Sequence, residues 1–186
     1  MGLCGILFKM TQLNWIFPTP LWHIEKELPA GVYEWALEHQ KNNLELTGNS
    51  SCGGYQNYFD ISKIPFFNYI QDCLYFLPKF EYLNAWLNIN KDTDHNILHY
   101  HPNSDLAVIW YLTDNDNKLY FKSPYSFSRY NLYSKFNNPE ELGLELSPIC
   151  KAGDILIFPA DLLHGVSPTY KKEPRISISF NLKLND

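Results

Sequence analysis

The sequence predicts a mainly β chain of the α+β class, in which N-terminal helices precede a β-sandwich or jelly-roll barrel. Three observations predict this class: helical apolar stripes before residue 80, a change to alternating apolar positions after it, and several short strands separated by turn residues. A length of 186 residues fits one domain. We expect a single domain over 1–186, with an N-terminal strand and helices over about 12–80 and a jelly-roll core over about 81–184.

Two helices are predicted in the N-terminal part. The first covers roughly residues 30–43, after Pro29, and its apolar face follows helical spacing. For the second helix, Ser62 is placed to cap the first turn and Pro65 to lie within it. The second apolar stripe ends before Pro78 and consists of Phe66, Ile70, Cys73, Leu74 and Leu77.

Two long strands, 82–90 and 175–182, each have one apolar and one polar face. Shorter strands are predicted between them at 106–112, 119–121 and 155–158, with a hairpin candidate at 113–118. Burying amides and a guanidinium without partners is costly, so the polar faces indicate a ligand cavity inside the barrel. The alternative is that they face solvent on a half-exposed sheet. The polar positions are Asn84, Trp86, Asn88, Asn90, Arg175, Ser177, Ser179 and Asn181.

Composition narrows the classes of function. The formal net charge of −5 disfavours non-specific binding to nucleic acid or to an anionic membrane. No apolar run is long enough for a membrane span, and no signal-peptide pattern opens the sequence. The four cysteines show no CxxC spacing, which favours a reducing compartment over a disulfide scaffold. Cys52 and Cys150 are predicted to be buried packing residues.

Three histidines have a spacing typical of metal ligands: His99 and His101 in ILHYHP, and His164 in DLLHGV. Residues i and i+2 of a strand project to the same side, and neutral imidazole suits iron, zinc or copper. A third ligand from a distant strand leaves one face of the ion open, as a catalytic metal requires. Taken alone, the HxH pair is equally typical of surface histidines beside a turn. His95 is predicted to lie in a loop.

Arg175 begins the last polar-faced strand, and Ser177 follows it on the same face. A guanidinium can bind a carboxylate through two parallel hydrogen bonds, and a neighbouring hydroxyl can add a third. The alternative is a surface arginine paired with Glu173. The pattern is typical of an anion site and of a surface ion pair alike.

These motifs resemble those of the Fe(II)/2-oxoglutarate-dependent oxygenases, whose iron motif is HxD/E followed by a distant His and, farther on, an Arg. The chain is more specifically similar to the 2-oxoglutarate oxygenases common in marine bacteria and their phages. The similarity extends over nearly the whole chain, including FPTPLW near the N-terminus. The other stretches that carry it are CGGYQNYFDI (52–61), NAWLNI through HNILHYHPNS (84–104), WYL (110–112), LYFKSPY (119–125), and GDILIFPADLLHGVSP with PRISISFNL (153–182).

The resemblance implies a double-stranded β-helix, a cupin-like jelly-roll barrel with the N-terminal helices packed on one sheet. It implies that Arg175 binds the distal carboxylate of 2-oxoglutarate, with Ser177 beside it. It also implies that Asn88, expected on a strand adjoining His99, hydrogen-bonds the cosubstrate. Asn90 stands where relatives have Tyr and is a weaker candidate for the same role. The implied Fe(II) ligands are His99, His101 and His164.

The third iron ligand is where the sequence departs from this family. Most relatives use a carboxylate where this chain has His101, so the resemblance implies a three-histidine site unless Asp105 bends back into it. Loss of a carboxylate removes a negative charge beside the metal, which should weaken retention of Fe(II). Ala107 and Val108 replace a Ser-Gly pair of the family, which should narrow the barrel wall.

The implied function is an Fe(II)- and 2-oxoglutarate-dependent dioxygenase that uses O2 to hydroxylate an unidentified small molecule or side chain, releasing succinate and CO2. The alternatives are a three-histidine cupin-type dioxygenase that does not use 2-oxoglutarate, and a non-enzymatic jelly-roll binding or structural protein. We expect a cytoplasmic protein, in the host cell if a phage encodes it, and the many aromatic residues leave a homodimer open. Segment 124–142 is predicted to be a lid or to pack against the helices.

Overall fold

The computed structural model describes residues 19–46, 50–114, 118–124, 145–168 and 170–185. The N-terminal elements are β1 (Trp22–Ile24), α1 (Val32–Asn42), β2 (Ser51–Cys52), β3 (Tyr55–Phe59), a 3-10 turn (Ile61–Lys63) and α2 (Phe67–Cys73). The strands that follow are β4 (Phe80–Asn90), β5 (His95–His99), β6 (Leu106–Tyr111), β7 (Leu119–Lys122), β8 (Glu145–Leu146), β9 (Ile155–Pro159), β10 (His164–Val166) and β11 (Arg175–Leu184).

The described strands form two antiparallel sheets. One has six strands in the order β1-β9-β6-β11-β4-β3, and the other has five in the order β2-β5-β10-β7-β8. Successive strands of the chain repeatedly change sheet, so most hydrogen-bonded neighbours are distant in sequence. This is the crossover arrangement of a jelly roll, and the predicted mainly β fold is confirmed.

Apolar side chains pack on both faces of the six-stranded sheet. On one face, Leu87 of β4 belongs to a cluster with Val32 of α1 and Ile70 of α2. On the other face, Ile109 of β6 belongs to a second cluster with Phe121 of the five-stranded sheet. The helices therefore cover one side of one sheet, as predicted, and the other side of that sheet faces the barrel interior.

The polar faces of β4 and β11 point into this interior. The two strands pair so that Arg175 lies opposite Asn90 and Ser177 opposite Asn88. Arg175 is 4% exposed and Asn90 is 1% exposed. The alternative of a solvent-facing sheet is therefore wrong for these positions, since their side chains are buried between the two sheets.

The second helix differs from its prediction. Ser62 does not cap α2 but lies in the 3-10 turn, where its backbone N–H and hydroxyl both donate to the carboxylate of Asp60. Such local side-chain bonds compete with a regular helix start. The α-helix begins only at Phe67, and α1 begins within the predicted range.

Further differences concern the five-stranded sheet. His95 begins β5 instead of lying in a loop, and it pairs with Cys52 of β2. Because β4 and β5 belong to different sheets, Asn88 lies across the barrel from His99 and not on an adjoining strand. Cys150 is buried as predicted, whereas Cys52 is exposed.

Two predictions concern parts of the chain that are wholly or partly undescribed. The lid predicted at 124–142 lies outside the described residues beyond Pro124, and residues 115–117 of the hairpin candidate are also outside them. Within the described ranges, no helix has both the length and the hydropathy of a membrane span.

Candidate metal and cosubstrate site

The structure brings the three predicted histidines together at one end of the five-stranded sheet. His99, the last residue of β5, pairs directly with His164, the first residue of β10. His101 lies just beyond β5, where its backbone N–H donates to the carbonyl of Ala160 at 2.8 Å. One imidazole nitrogen of each histidine lies within 4.8 Å of the other two. The donor set and spacing therefore fit a single metal ion.

Backbone carbonyls fix the tautomers of two of these histidines. Nδ1 of His99 lies 2.7 Å from the carbonyl of Ile97, and Nδ1 of His164 lies 2.8 Å from the carbonyl of Leu162. A carbonyl only accepts, so each Nδ1 carries the proton and donates it. Each Nε2 is left with its lone pair, and the carbonyl holds the ring in the orientation needed to bind a metal.

Burial keeps the cluster neutral. Desolvation lowers the pKa of His164 to about 3 and that of His101 to about 4, with a further contribution from the neighbouring His99 in both cases. The pKa of His99 is also lowered, again mainly by burial. Neutral imidazole is the form that binds metal ions, so the three rings need not lose a proton first at neutral pH.

Asp105 lies away from this cluster. One carboxylate oxygen pairs with Nζ of Lys183 at 2.9 Å, and the other accepts from the backbone N–H of Leu184 at 2.8 Å. These bonds hold the carboxylate at the end of β11 that is opposite to Arg175. Among the described residues, the group of donor atoms around His99 and His164 contains His101 and not Asp105.

The buried cation of the site is Arg175. Its side chain lines the same cavity as the three histidines, together with Ser177, to which Nη1 donates at 3.4 Å. The guanidinium lies over the ring of Tyr111, 5.4 Å from its centroid. The described part of the cavity lining holds no carboxylate. The arrangement is suited to an anionic ligand, and the alternative of a surface arginine is wrong.

Two buried asparagines carry unsatisfied polar atoms beside Arg175. Both amide atoms of Asn90 and Oδ1 of Asn88 have no hydrogen-bond partner, while Nδ2 of Asn88 donates to Ser179 at 3.1 Å. Gly54 packs closely here, since a Cβ on it would lie 2.8 Å from Nδ2 of Asn90. Buried polar atoms normally find a partner, so these amides fit a site that is completed by a polar ligand.

Further polar residues at the site were not predicted from the sequence. Asn96 of β5 lines the cavity and, like Gln56 of β3, directs its amide nitrogen at the hydroxyl of Ser50, at 3.4 and 3.3 Å. The carbonyl oxygens of both amides are buried without a partner. Asn96 was missed because the strand expected at His99 was not extended back over residues 95–98, although Asn96 lies only three residues before His99.

An open cavity of about 300 Å³ adjoins His99 and His101. Its wall contains the edge-to-face ring pair Tyr58 and Trp86, and the ring of Trp86 also lies 5.3 Å from that of His101. No Asp, Glu, Lys or Arg is among the described residues of this lining. The remaining lining residues are Ser50, Gln56, Asn84, Ile97, Tyr100, Pro102 and Asn181.

The fold is a double-stranded β-helix, and its interior holds a cluster of three histidines opposite a buried arginine. A family model described as "Putative 2OG-Fe(II) oxygenase" matches residues 84–181, more than half of the chain. The chain belongs to the 2OG-Fe(II) oxygenase family and is a 2-oxoglutarate- and Fe(II)-dependent oxygenase. The family uses Fe(II) and 2-oxoglutarate, so the predicted cofactors are confirmed.

Solved structures of such oxygenases share the fold at low sequence identity. HygX from Streptomyces hygroscopicus, with nickel, 2-oxoglutarate and hygromycin B bound, is 13% identical, with a TM-score of 0.63 over 90% of this chain and 84% of its own. EctD from S. alaskensis with bound Fe is 12% identical, with a TM-score of 0.62 over 89% of this chain and 73% of its own. The carbocyclase SnoK from nogalamycin biosynthesis is 10% identical, with a TM-score of 0.62 over 90% and 81%. No curated protein sequence matches the chain.

Proposed function

We propose that this oxygenase hydroxylates a small molecule or a side chain and that His99, His101 and His164 are its iron ligands. The observation that carries the assignment is the convergence of three neutral imidazoles in one cavity with a buried guanidinium. Three ligands on one face of an ion leave the opposite positions for cosubstrate and O2. Asp105 is not part of the ligand set, because its carboxylate is held by Lys183 and Leu184.

Arg175 is the residue we assign to the distal carboxylate of 2-oxoglutarate. A buried guanidinium offers a carboxylate two parallel, charge-assisted hydrogen bonds, and Ser177 lies close enough to add its hydroxyl. The ring of Tyr111 supports the guanidinium from one side. In this account Arg175 and Ser177 bind and orient the cosubstrate and do not transfer protons.

The unsatisfied amides of Asn88 and Asn90 are assigned to the same cosubstrate. Both lie directly opposite the Arg175 strand, in register with Ser177 and Arg175. A carboxylate only accepts, so each amide would bond it through its NH2 group: Nδ2 of Asn90 has no partner, and Nδ2 of Asn88 keeps one proton beside its bond to Ser179. Asn88 lines the cavity of the three histidines and Arg175, whereas Asn90 lies behind it with both of its polar atoms buried and without a partner.

The bound iron, with 2-oxoglutarate and O2, supplies an oxidation that releases succinate and CO2 and places one oxygen atom in a C–H bond of the substrate. The protein contributes binding, orientation and exclusion of water. The primary substrate is assigned to the open cavity beside His99 and His101. Its aromatic wall and amide groups suit a ligand that combines an apolar face with hydrogen-bonding groups.

A turnover assay tests the proposed reaction. Protein loaded anaerobically with Fe(II) should, on admission of air, convert 2-oxoglutarate to succinate, slowly without substrate and faster with it. With 18O2, one labelled oxygen should appear in succinate and one in the hydroxylated product. Oxidation of the substrate that needs iron and O2 but proceeds at the same rate without 2-oxoglutarate would contradict the proposal.

A further inference from the structure

A second group of metal-binding donor atoms lies outside the histidine cluster. It consists of the imidazole of His23 on β1 and the side chains of Cys150 and Asp154, which flank the turn before β9. One donor atom of each lies within 4.8 Å of the other two. Nε2 of His23 is 2.9 Å from Oδ2 of Asp154. Thiolate sulfur, imidazole nitrogen and carboxylate oxygen are the three donor types that bind zinc in proteins.

We propose that His23, Cys150 and Asp154 form a second metal site, which binds Zn(II) and joins β1 to the turn before β9. The fourth tetrahedral position is open to water, because His23 and Asp154 also line a surface cleft that contains Glu25 and Ala152. On binding, the thiol proton of Cys150 is released to water, and the neutral imidazole of His23 carries its proton on the ring nitrogen that does not bind the ion.

The charge balance favours such an ion. Cys150 is 2% exposed and Asp154 is 6% exposed, so an uncompensated charge at this site would be costly. One thiolate and one carboxylate neutralise Zn(II), and the occupied site therefore carries no net charge. The other charged residues that line the cleft are two acids and two bases, whose charges cancel. They are Glu25, Glu27, Lys26 and Lys151.

The backbone holds the two ligand-bearing segments together before any ion binds. Gly153, with φ of +101°, packs so closely on the chain after β1 that a Cβ would lie 2.1 Å from the carbonyl oxygen of Lys26. Oδ2 of Asp154 also accepts from the backbone N–H of Lys151 at 2.8 Å, which orients the carboxylate. His23 pairs with Leu156 of β9, so its position is fixed by the sheet. A preorganised site loses little conformational entropy on binding.

A metal ion at this site would stabilise the edge strand β1. β1 has three residues and, among the described strands, lies at the edge of the six-stranded sheet next to β9 alone. A metal that links residue 23 to residues 150 and 154 closes a long loop of the chain and stabilises this edge. The three-histidine cluster contains no sulfur. The second site can therefore be detected separately, whatever the outcome for the iron site.

Cobalt(II) is the probe for this site, because a thiolate bound to Co(II) gives a near-ultraviolet charge-transfer band and histidines alone do not. The full chain, freed of metals with a chelator, is titrated anaerobically with Co(II). We expect the band in the wild type and in His99→Ala, and its loss in Cys150→Ser. A matched control with Cys4→Ser, Cys52→Ser and Cys73→Ser together should keep it.

A second variant covers the case in which Cys150→Ser does not fold. His23 is partly exposed, so His23→Gln should fold. It is compared in the His99→Ala background, so that Zn(II) bound by the three histidines does not contribute. There it should weaken Co(II) binding at the thiolate site at least about 10-fold and abolish the rise in melting temperature that Zn(II) gives. Absence of a thiolate band in the wild type would overturn the proposal. So would a band that survives Cys150→Ser, or a band and zinc-dependent melting temperature unaffected by His23→Gln.

Discussion

His99 and His164 are directly paired across β5 and β10, and their ring centroids are 4.4 Å apart. Each donates its Nδ1 proton to the carbonyl two residues earlier in the chain, Ile97 for His99 and Leu162 for His164. The same local geometry on two paired strands therefore presents two Nε2 atoms toward one point. His101, whose Nε2 lies 3.2 Å from that of His164, completes the group.

Replacing either paired histidine should abolish tight iron binding. His99→Ala or His164→Ala removes a ligand outright, so we expect a loss of Fe(II) affinity greater than the roughly 10–100-fold typical of outer-sphere changes. Anaerobic Fe(II) titration measures it. His95→Ala is the control, since His95 lies on the same strand but outside the cluster. Equal iron affinity in wild type and His164→Ala would refute the ligand assignment.

Arg175→Met should weaken 2-oxoglutarate binding while leaving Fe(II) binding intact. Charge-assisted hydrogen bonds to a carboxylate are lost, which corresponds to a roughly 10- to 100-fold higher Kd for 2-oxoglutarate. Lys183→Met is the matched control, because Lys183 is on the same strand and pairs with Asp105 instead. Calorimetric titration of the iron-loaded variants distinguishes them. An unchanged Kd in Arg175→Met would show that the cosubstrate is bound elsewhere.

Asn90→Leu should stabilise the protein and at the same time weaken 2-oxoglutarate binding. Both amide atoms of Asn90 are buried and unsatisfied, so an apolar side chain of similar size should raise the free energy of unfolding by about 1 kcal/mol. The same change should weaken 2-oxoglutarate binding, because the amide is assigned to that ligand. Denaturant unfolding and cosubstrate titration measure the two effects. The control is Asn68→Leu, at an exposed position of α2, which should change neither the free energy of unfolding nor 2-oxoglutarate binding. A lower free energy of unfolding in Asn90→Leu would contradict the conclusion that the amide of Asn90 is buried without partners.

Asp105→Asn should alter the pH dependence of stability but not iron binding. The hydrogen bond from Lys183, followed by that from the Leu184 N–H, lowers the pKa of Asp105 below its ordinary value. A lowered folded-state pKa stabilises the protein above about pH 4, and this contribution is lost as pH falls through the folded pKa. Unfolding curves of wild type and Asp105→Asn should therefore differ at neutral pH and converge in acid. Loss of Fe(II) binding in this variant would instead make Asp105 a ligand.

The alternation of apolar and polar residues was enough to predict β4 and β11, because over 85–90 and 175–182 the apolar face of each strand packs on the helices and its polar face is buried in the barrel interior. The strand expected at His99 and His101 was misplaced: it covers 95–99 and ends before His101, and it was not predicted over 95–98 because the exposed Ile97 and Leu98 break the alternation. The start of α2 was misplaced because Asp60 and Ser62 bond each other locally. The start of such a helix depends on which of several neighbouring polar side chains forms a hydrogen bond with the backbone.

The residues of the site that belong to spaced sequence motifs could be predicted. Spacing and resemblance indicated the three histidines and Arg175, and the structure brings them into one cavity. The sequence could not show that Asp105 pairs with Lys183, because that contact depends on the register of β11. Nor could it group His23 with Cys150 and Asp154, which only the β1–β9 pairing brings together. The cytoplasmic location, the phage setting and a homodimer stay predictions.

The central claim is that one cavity binds Fe(II) through three histidines and 2-oxoglutarate through Arg175. Anaerobic addition of Fe(II) and then 2-oxoglutarate to the full chain tests it most directly. We predict that a visible iron-to-cosubstrate charge-transfer band develops only after 2-oxoglutarate is added, is absent in His99→Ala, and needs more 2-oxoglutarate in Arg175→Met. Bound iron without such a band in the wild type, or a band unchanged in both variants, would contradict the claim.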